Sequence, residues 1–157
     1  MKALPTLEGG LRIDTKDASD WDLLRCIIHD ANGRDVDLAD HLGGLISPEA
    51  GAEDWEEYVV PDLREEFQDE LSLIHAMIES AAFDAGGGAG SLWIRPEDAF
   101  AWYGSFNQAR LAIEELYHFT DMEDSDLMNI TPEQHAAYVR SNFYGHIQIL
   151  LLKHVLR

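Results

Sequence analysis

Leu63, Phe67, Leu71, Ile74, Ile78 and Ala81 recur at steps of four, four, three, four and three residues, the clearest pattern in the chain. That spacing places all six on one face of an α-helix, and such a stripe has to be buried against something else. Three more stripes keep the same period: Ala18, Trp21, Leu24, Ile28 and Ala31; Ala99, Trp102, Phe106, Ala109, Ile113 and Leu116; and Ala136, Val139, Phe143, Ile147, Leu150 and Leu151. No alternating run of comparable length competes with them. A chain of 157 residues has the size of one domain, and at that length about two-thirds of the unfolded surface is buried on folding. These observations predict an all-α fold: a single compact domain spanning 1–157, with five or six helices.

Punctuation between the stripes sets the boundaries. The first helix should stop at Asp30-Ala31-Asn32-Gly33, where residues tolerant of the left-handed conformation cluster. A short helical turn is expected around Asp35 to Leu42, and Ser47-Pro48-Glu49 reads as a cap with proline in the first turn. Pro61 opens the long helix, predicted through Ser80, whose other face carries Asp62, Glu65, Glu66, Asp69, Glu70 and Glu79 and reads as solvated. Residues 86–91, Gly-Gly-Gly-Ala-Gly-Ser, form a glycine-rich internal loop without the lysine and hydroxyl residue of a phosphate-binding loop. Pro96 opens a helix to about Phe119. An acidic loop from Asp121 to Asp126 follows. Thr131-Pro132-Glu133-Gln134 then combines a threonine cap, a first-turn proline and a capping-box glutamine, starting a helix that runs to about Val155.

A weak repeat lies at an offset of 81 residues: Leu11-Arg12-Ile13, Asp17-Ala18 and Trp21 match Leu92-Trp93-Ile94, Asp98-Ala99 and Trp102. Each copy is a short extended segment leading into a helix. The two segments, Leu11 to Ile13 and Leu92 to Ile94, could pair as a small two-stranded ribbon.

Charge narrows the function classes. Thirty acidic against eleven basic residues give a formal charge of −19, which repels phosphate backbones and anionic lipid, so nucleic acid and membrane surfaces are poor partners. No apolar run reaches the roughly 20 residues of a bilayer span. Met1-Lys2-Ala3-Leu4-Pro5 lacks the apolar stretch of a secretory signal, and the single cysteine, Cys26, has no internal disulfide partner. Both features point to the cytoplasm. Cys26 sits in a helical pattern beside Ile27 and Ile28 and reads as a small buried hydrophobe.

Chemistry-bearing spacings are sparse. Glu115 and His118 make one Glu-x-x-His, the spacing that puts two ligands on a helix face, but a di-iron carboxylate bundle needs two such motifs and further glutamates. Asp37 with His41 and His75 with Glu79 are i,i+4 pairs of the kind common on acidic helices. Asp121 to Asp126 lacks the glycine and terminal glutamate of a calcium loop. No nucleophile elbow is present. No cofactor is called for. The unusual residues are Asn107 and Arg110, which interrupt the apolar line Tyr103, Phe106, Ile113 and Tyr117. A buried or half-buried arginine there would need a carboxylate or carbonyl partner, so the pair is either a structural anchor, the favoured reading, or the rim of a recognition surface. Arg25, beside Trp21 and Leu24, suggests an equivalent role.

At these residues the chain resembles an uncharacterised bacterial family catalogued as a domain of unknown function, number two-zero-one-seven. The similar segments are Leu11-Arg12-Ile13 leading to Leu24-Arg25, the stretch from Leu38 to Pro48, Val59-Val60-Pro61-Asp62-Leu63-Arg64, and above all Trp102 followed by Phe106-Asn107-x-x-Arg110-Leu111. Phe106 stands where the family pattern has leucine. In actinobacteria, genes of this family lie beside that of the Clp protease adaptor, which implies by association a role in regulated proteolysis. The family brings no catalytic residues. The expectation is therefore a non-enzymatic acidic interaction or regulatory protein with a protein partner, the Clp machinery being one candidate, and a homo-oligomer is compatible with it. A metal-dependent enzyme using carboxylate and histidine ligands is the alternative.

Overall fold

A computed structural model of the chain describes residues 1–33 and 55–157. The expected turn at Asp35 to Leu42, the Ser47 cap, the Asp37 and His41 pair and the Leu38 to Pro48 segment lie outside the described residues. Within them the order is β1 (Lys2–Pro5), β2 (Leu11–Thr15), α1 (Ala18–Asn32), a π-helical turn Trp55–Val59, α2 (Val60–Asp84), β3 (Gly90–Ile94), α3 (Ala99–Tyr117), α4 (Asp124–Leu127) and α5 (Pro132–His154). The fold is mainly α, with a small antiparallel sheet of order β1-β2-β3. The sheet has three strands rather than two, because Lys2–Pro5 pairs with Leu11–Thr15. That strand hides in the sequence: it is short, ends in proline and leaves most of its residues exposed, as edge strands can.

The expected ribbon pairing is present, with Leu11 opposite Ile94, Arg12 opposite Trp93 and Ile13 opposite Leu92. This register matches the 81-residue offset: Arg12 faces its own repeat mate, and Leu11 and Ile13 each face the other's mate. A two-fold axis passing between Arg12 and Trp93 would produce that exchange. Leu11, Ile13, Leu92 and Ile94 point inward and are buried. On the outer face the Arg12 guanidinium lies 5.5 Å from the Trp93 ring centre. The helices that follow the two strands, α1 and α3, share the most extensive contact among the described elements, and their first-turn tryptophans, Trp21 and Trp102, are both fully buried.

Helix α3 is the central element, packed by α1, α2 and α5. Ala99, Trp102, Phe106, Ala109 and Ile113 are buried as their spacing predicts, whereas Leu116 emerges at the surface. A 3-10 turn, Pro96–Asp98, precedes this helix, and a second, Phe119–Asp121, follows it. The acidic stretch after it is not simply a loop: Glu123 and Asp126 cap α4 reciprocally, so two carboxylates there satisfy backbone N–H groups.

Helix α2 runs beyond Ser80 to Asp84, because Ala81, Ala82 and Phe83 continue it and the stop lies at Gly86. There φ is 60°, Gly87 N–H donates to the Ala82 carbonyl and Gly86 N–H to the Phe83 carbonyl, the paired closure that favours glycine. Helix α5 begins at the Thr131 capping box as expected. Its buried face is rotated by about one residue from the predicted one: Ala137, Tyr144, Ile147, Gln148 and Leu151 are inside, while Ala136 and Val139 are exposed and Phe143 and Leu150 only half-buried. Residues 149–152 are apolar all round the helix, so period alone does not choose the face. Polar partners on α1 and α3 do.

Candidate functional site

Arg110 lies on the outer flank of α3 and is exposed, as is Asn107 one turn earlier. This corrects the expectation of a buried anchor held by a carboxylate. The Arg110 guanidinium donates at 2.7 Å to Oε1 of Gln148 on α5. Gln148 is buried and in turn donates to the Tyr103 carbonyl at 3.3 Å. Gly145 makes room for this arrangement, since a Cβ there would lie 3.3 Å from Arg110 Cζ. The guanidinium therefore rests on the backbone of α5, held at one nitrogen, with the rest of its fork directed elsewhere.

What it faces is a groove of about 450 Å³ between α3 and α5. One wall is polar, with Asn107, Arg110, Glu114, Thr120, Ser141 and Asn142; Leu111, Phe119, Leu127 and Tyr138 form the apolar part. The apolar part is built by ring contacts: Phe119 stacks on Tyr117 at 5.3 Å and meets the edge of Tyr138 at 5.3 Å. Glu114 is turned to the end of the groove, where Oε1 accepts from the Thr120 backbone at 3.0 Å and from its hydroxyl at 2.5 Å. No carboxylate stands within ion-pair distance of Arg110 among the described residues.

The other residues singled out from sequence are dispersed. Trp102 is fully buried, 5.7 Å from the Phe106 ring, and its Nε1 makes no hydrogen bond among the described residues. Arg25 ties α1 to α2, with Nε donating to Glu79 at 2.6 Å and NH1 to Asp22 at 3.0 Å. The Arg25 hydrogen bond holds the Glu79 carboxyl below its ordinary range. His75 approaches the same carboxylate at 3.8 Å. Glu115 and His118 do not share a helical face: His118 is the C-cap of α3 with φ of 51°, so the chain has left the helical path. Among the described residues no three His, Cys, Asp or Glu side chains gather closely enough to hold an ion. Burial pushes the Cys26 thiol up, which suppresses its thiolate.

The anchor that sequence reasoning sought at Arg110 is at Arg140. Asp30, buried at the end of α1, accepts from Arg140 Nε at 2.7 Å, from Arg140 NH2 at 2.8 Å and from the Tyr144 hydroxyl at 2.6 Å. The Asp30 carboxylate raises the Arg140 guanidinium above its ordinary value, and burial together with the Asp30 charge pushes the Tyr144 phenol up. Every oxygen of the carboxylate is used, so this unit is closed. The only sequence signal was Arg140 and Tyr144 four residues apart on an apolar helix.

Two further grooves flank α2. One, about 740 Å³, runs between α2 and the open edge of β3 and is mainly apolar, with Met77, Ala81 and Leu92 in its wall. The other, about 460 Å³, gathers Asp62, Glu65, Glu66, Asp69 and Glu70 around Leu73 and Ala101. Glu70 accepts from Gln108 Nε2 at 3.0 Å and its carboxylate lies against the backbone of Gly104, where any Cβ would collide with it. Burial, reinforced by neighbouring Glu66 and opposed by the Gln108 hydrogen bond, pushes the Glu70 carboxyl up. The α2 charged face is thus not wholly solvated: Glu70 and Glu79 are both engaged.

The fold and its grooves define a mainly helical domain with an acidic groove along α2 and a mixed polar and apolar groove at Arg110, and among the described residues no three His, Cys, Asp or Glu side chains form a metal-holding group. The chain belongs to the family described as Domain of unknown function (DUF2017), whose sequence model matches residues 2–155. No curated protein and no solved structure matches it. Among the described residues no helix is long and apolar enough to cross a membrane.

Proposed function

We propose that this is a non-enzymatic interaction protein that receives a basic surface of a protein partner on the N-terminal half of α2. One observation carries the reading: Asp62, Glu65, Glu66, Asp69 and Glu70 converge on a single groove. Like charges at helical-neighbour spacing repel one another, and the half-buried Glu70 adds a desolvation cost. A lysine- or arginine-rich partner relieves both. The Clp machinery, implied by the family's gene neighbourhood, is the partner to test first.

Electrostatic complementarity acts chiefly on encounter rate and specificity. Stopped-flow association of the protein with the purified Clp adaptor, and with a lysine-rich peptide as a general basic probe, should slow steeply as salt rises. Replacing Glu65 and Glu66 with Gln and Asp69 with Asn should slow association at low salt and leave dissociation largely unchanged. Association kinetics indifferent to salt and to the triple substitution would contradict the reading.

A further inference from the structure

The groove at Arg110 differs from the α2 face: one guanidinium, one carboxylate, amides and apolar side chains line it. A guanidinium carries five N–H donors in a planar fork whose geometry matches a carboxylate. Arg110 commits NH1 to Gln148. That bond, the Gln148 bond to the Tyr103 carbonyl and the seat on Gly145 position the fork before any ligand arrives. In a chain carrying thirty acidic residues, this arginine nevertheless has no carboxylate partner among the described residues.

The surroundings specify what kind of anion fits. Asn107 and Asn142 offer amide donors and acceptors beside the guanidinium, the complement of a peptide unit. Leu111, Phe119 and Tyr138 offer an apolar wall next to them. Glu114, one turn beyond Arg110, lines the same groove with its Oε1 engaged by the Thr120 N–H and hydroxyl, which disfavours a second anionic group there. About 450 Å³ is within the range of roughly 300–1,000 Å³ usual for small-ligand sites. We propose that this groove binds the C-terminal residue of a polypeptide partner, with the terminal carboxylate on Arg110, the last peptide unit on the two asparagine amides and an apolar last side chain on the Phe119 and Tyr138 wall.

The smallest probe of that chemistry is N-acetylleucine, which has one peptide unit, one apolar side chain and one carboxylate. Titration of the full chain, followed by amide and side-chain NMR resonances, should give saturable shifts at Asn107, Arg110 and Asn142. N-acetylleucine amide, which lacks the charge, and acetate, which lacks the side chain and peptide unit, should each bind about tenfold more weakly or less. Arg110→Met should abolish saturation with the rest of the spectrum retained, and Arg110→Lys, keeping charge but not the fork, should fall between. The proposal is overturned if the amide binds as well as the acid, if acetate binds as well as N-acetylleucine, if Arg110→Met binds unchanged, or if the wild-type protein shows no saturable shift up to about 50 mM.

Discussion

Arg140 and Arg110 each reach across α5, one from it and one to it, and they end in opposite states. Arg140 spans to Asp30 at the end of α1 and meets a buried carboxylate bidentately, with Tyr144 closing the remaining position. Arg110 spans from α3 to an amide oxygen and leaves its charge at the rim of a groove. The difference is whether the protein itself supplies a carboxylate to the guanidinium. A guanidinium whose fork is filled by the protein stabilises the fold; one that is held in place but not filled is available to a ligand.

The closed unit should show the largest effects. Asp30→Ala leaves the Arg140 guanidinium and the Tyr144 hydroxyl without their partner, and breaking a buried pair costs about 3–5 kcal/mol. For a chain of this size each kcal/mol lowers the melting temperature by roughly 2–4 °C, so calorimetry should show a drop of about 6–20 °C. A drop near zero would mean that the network is idle. Tyr144→Phe removes one hydrogen bond to the charged group and should cost about 1.5–3 kcal/mol in urea unfolding. Arg25→Met severs a pair whose partners are both partly solvated, and should cost about 0–1 kcal/mol. A larger loss would place Arg25 with Arg140 among the anchors.

Glu70 supplies a smaller effect of opposite sign. Its carboxyl is pushed up in the folded protein, so its protonated form is favoured by folding. The stability it contributes is fully present below the unfolded value of 4.5 and is lost as pH rises through the higher folded value. Glu70→Gln keeps an acceptor for Gln108 and removes the charge. It should stabilise the protein slightly at pH 7 and make no difference at strongly acid pH, as read from melting temperatures across that range. Destabilisation at neutral pH would show that the ionised form is the one the fold favours.

The contrast between the two arginines marks how far the sequence could be read. Local signals succeeded in placing the helices α1, α2 and α3, the Thr131 cap and the pairing of Leu11 to Ile13 with Leu92 to Ile94, although Ala18 and Leu116, at the ends of their stripes, are exposed and Ile27 rather than Ile28 is fully buried. Asn107 and Arg110 were legible as exceptions on an apolar line, but whether such a residue is buried depends on which face the neighbouring helix presents. For α5 that face was ambiguous, since residues 149–152 are apolar all round. Asp30 looked like a helix stop, and its partner lies 110 residues away, a distance at which no local pattern speaks. The edge strand Lys2–Pro5 carried no alternation to find.

Arg140, bound to buried Asp30, stabilises the fold far more than Arg110 does. Urea unfolding of Arg110→Met and Arg140→Met under identical conditions tests it most directly. The expected loss is about 3–5 kcal/mol for Arg140→Met, which strands buried Asp30, and a smaller one of about 1–2 kcal/mol for Arg110→Met, which leaves only the neutral Gln148 Oε1 without its donor. Equal losses, or a greater loss for Arg110→Met, would contradict it and return Arg110 to the core.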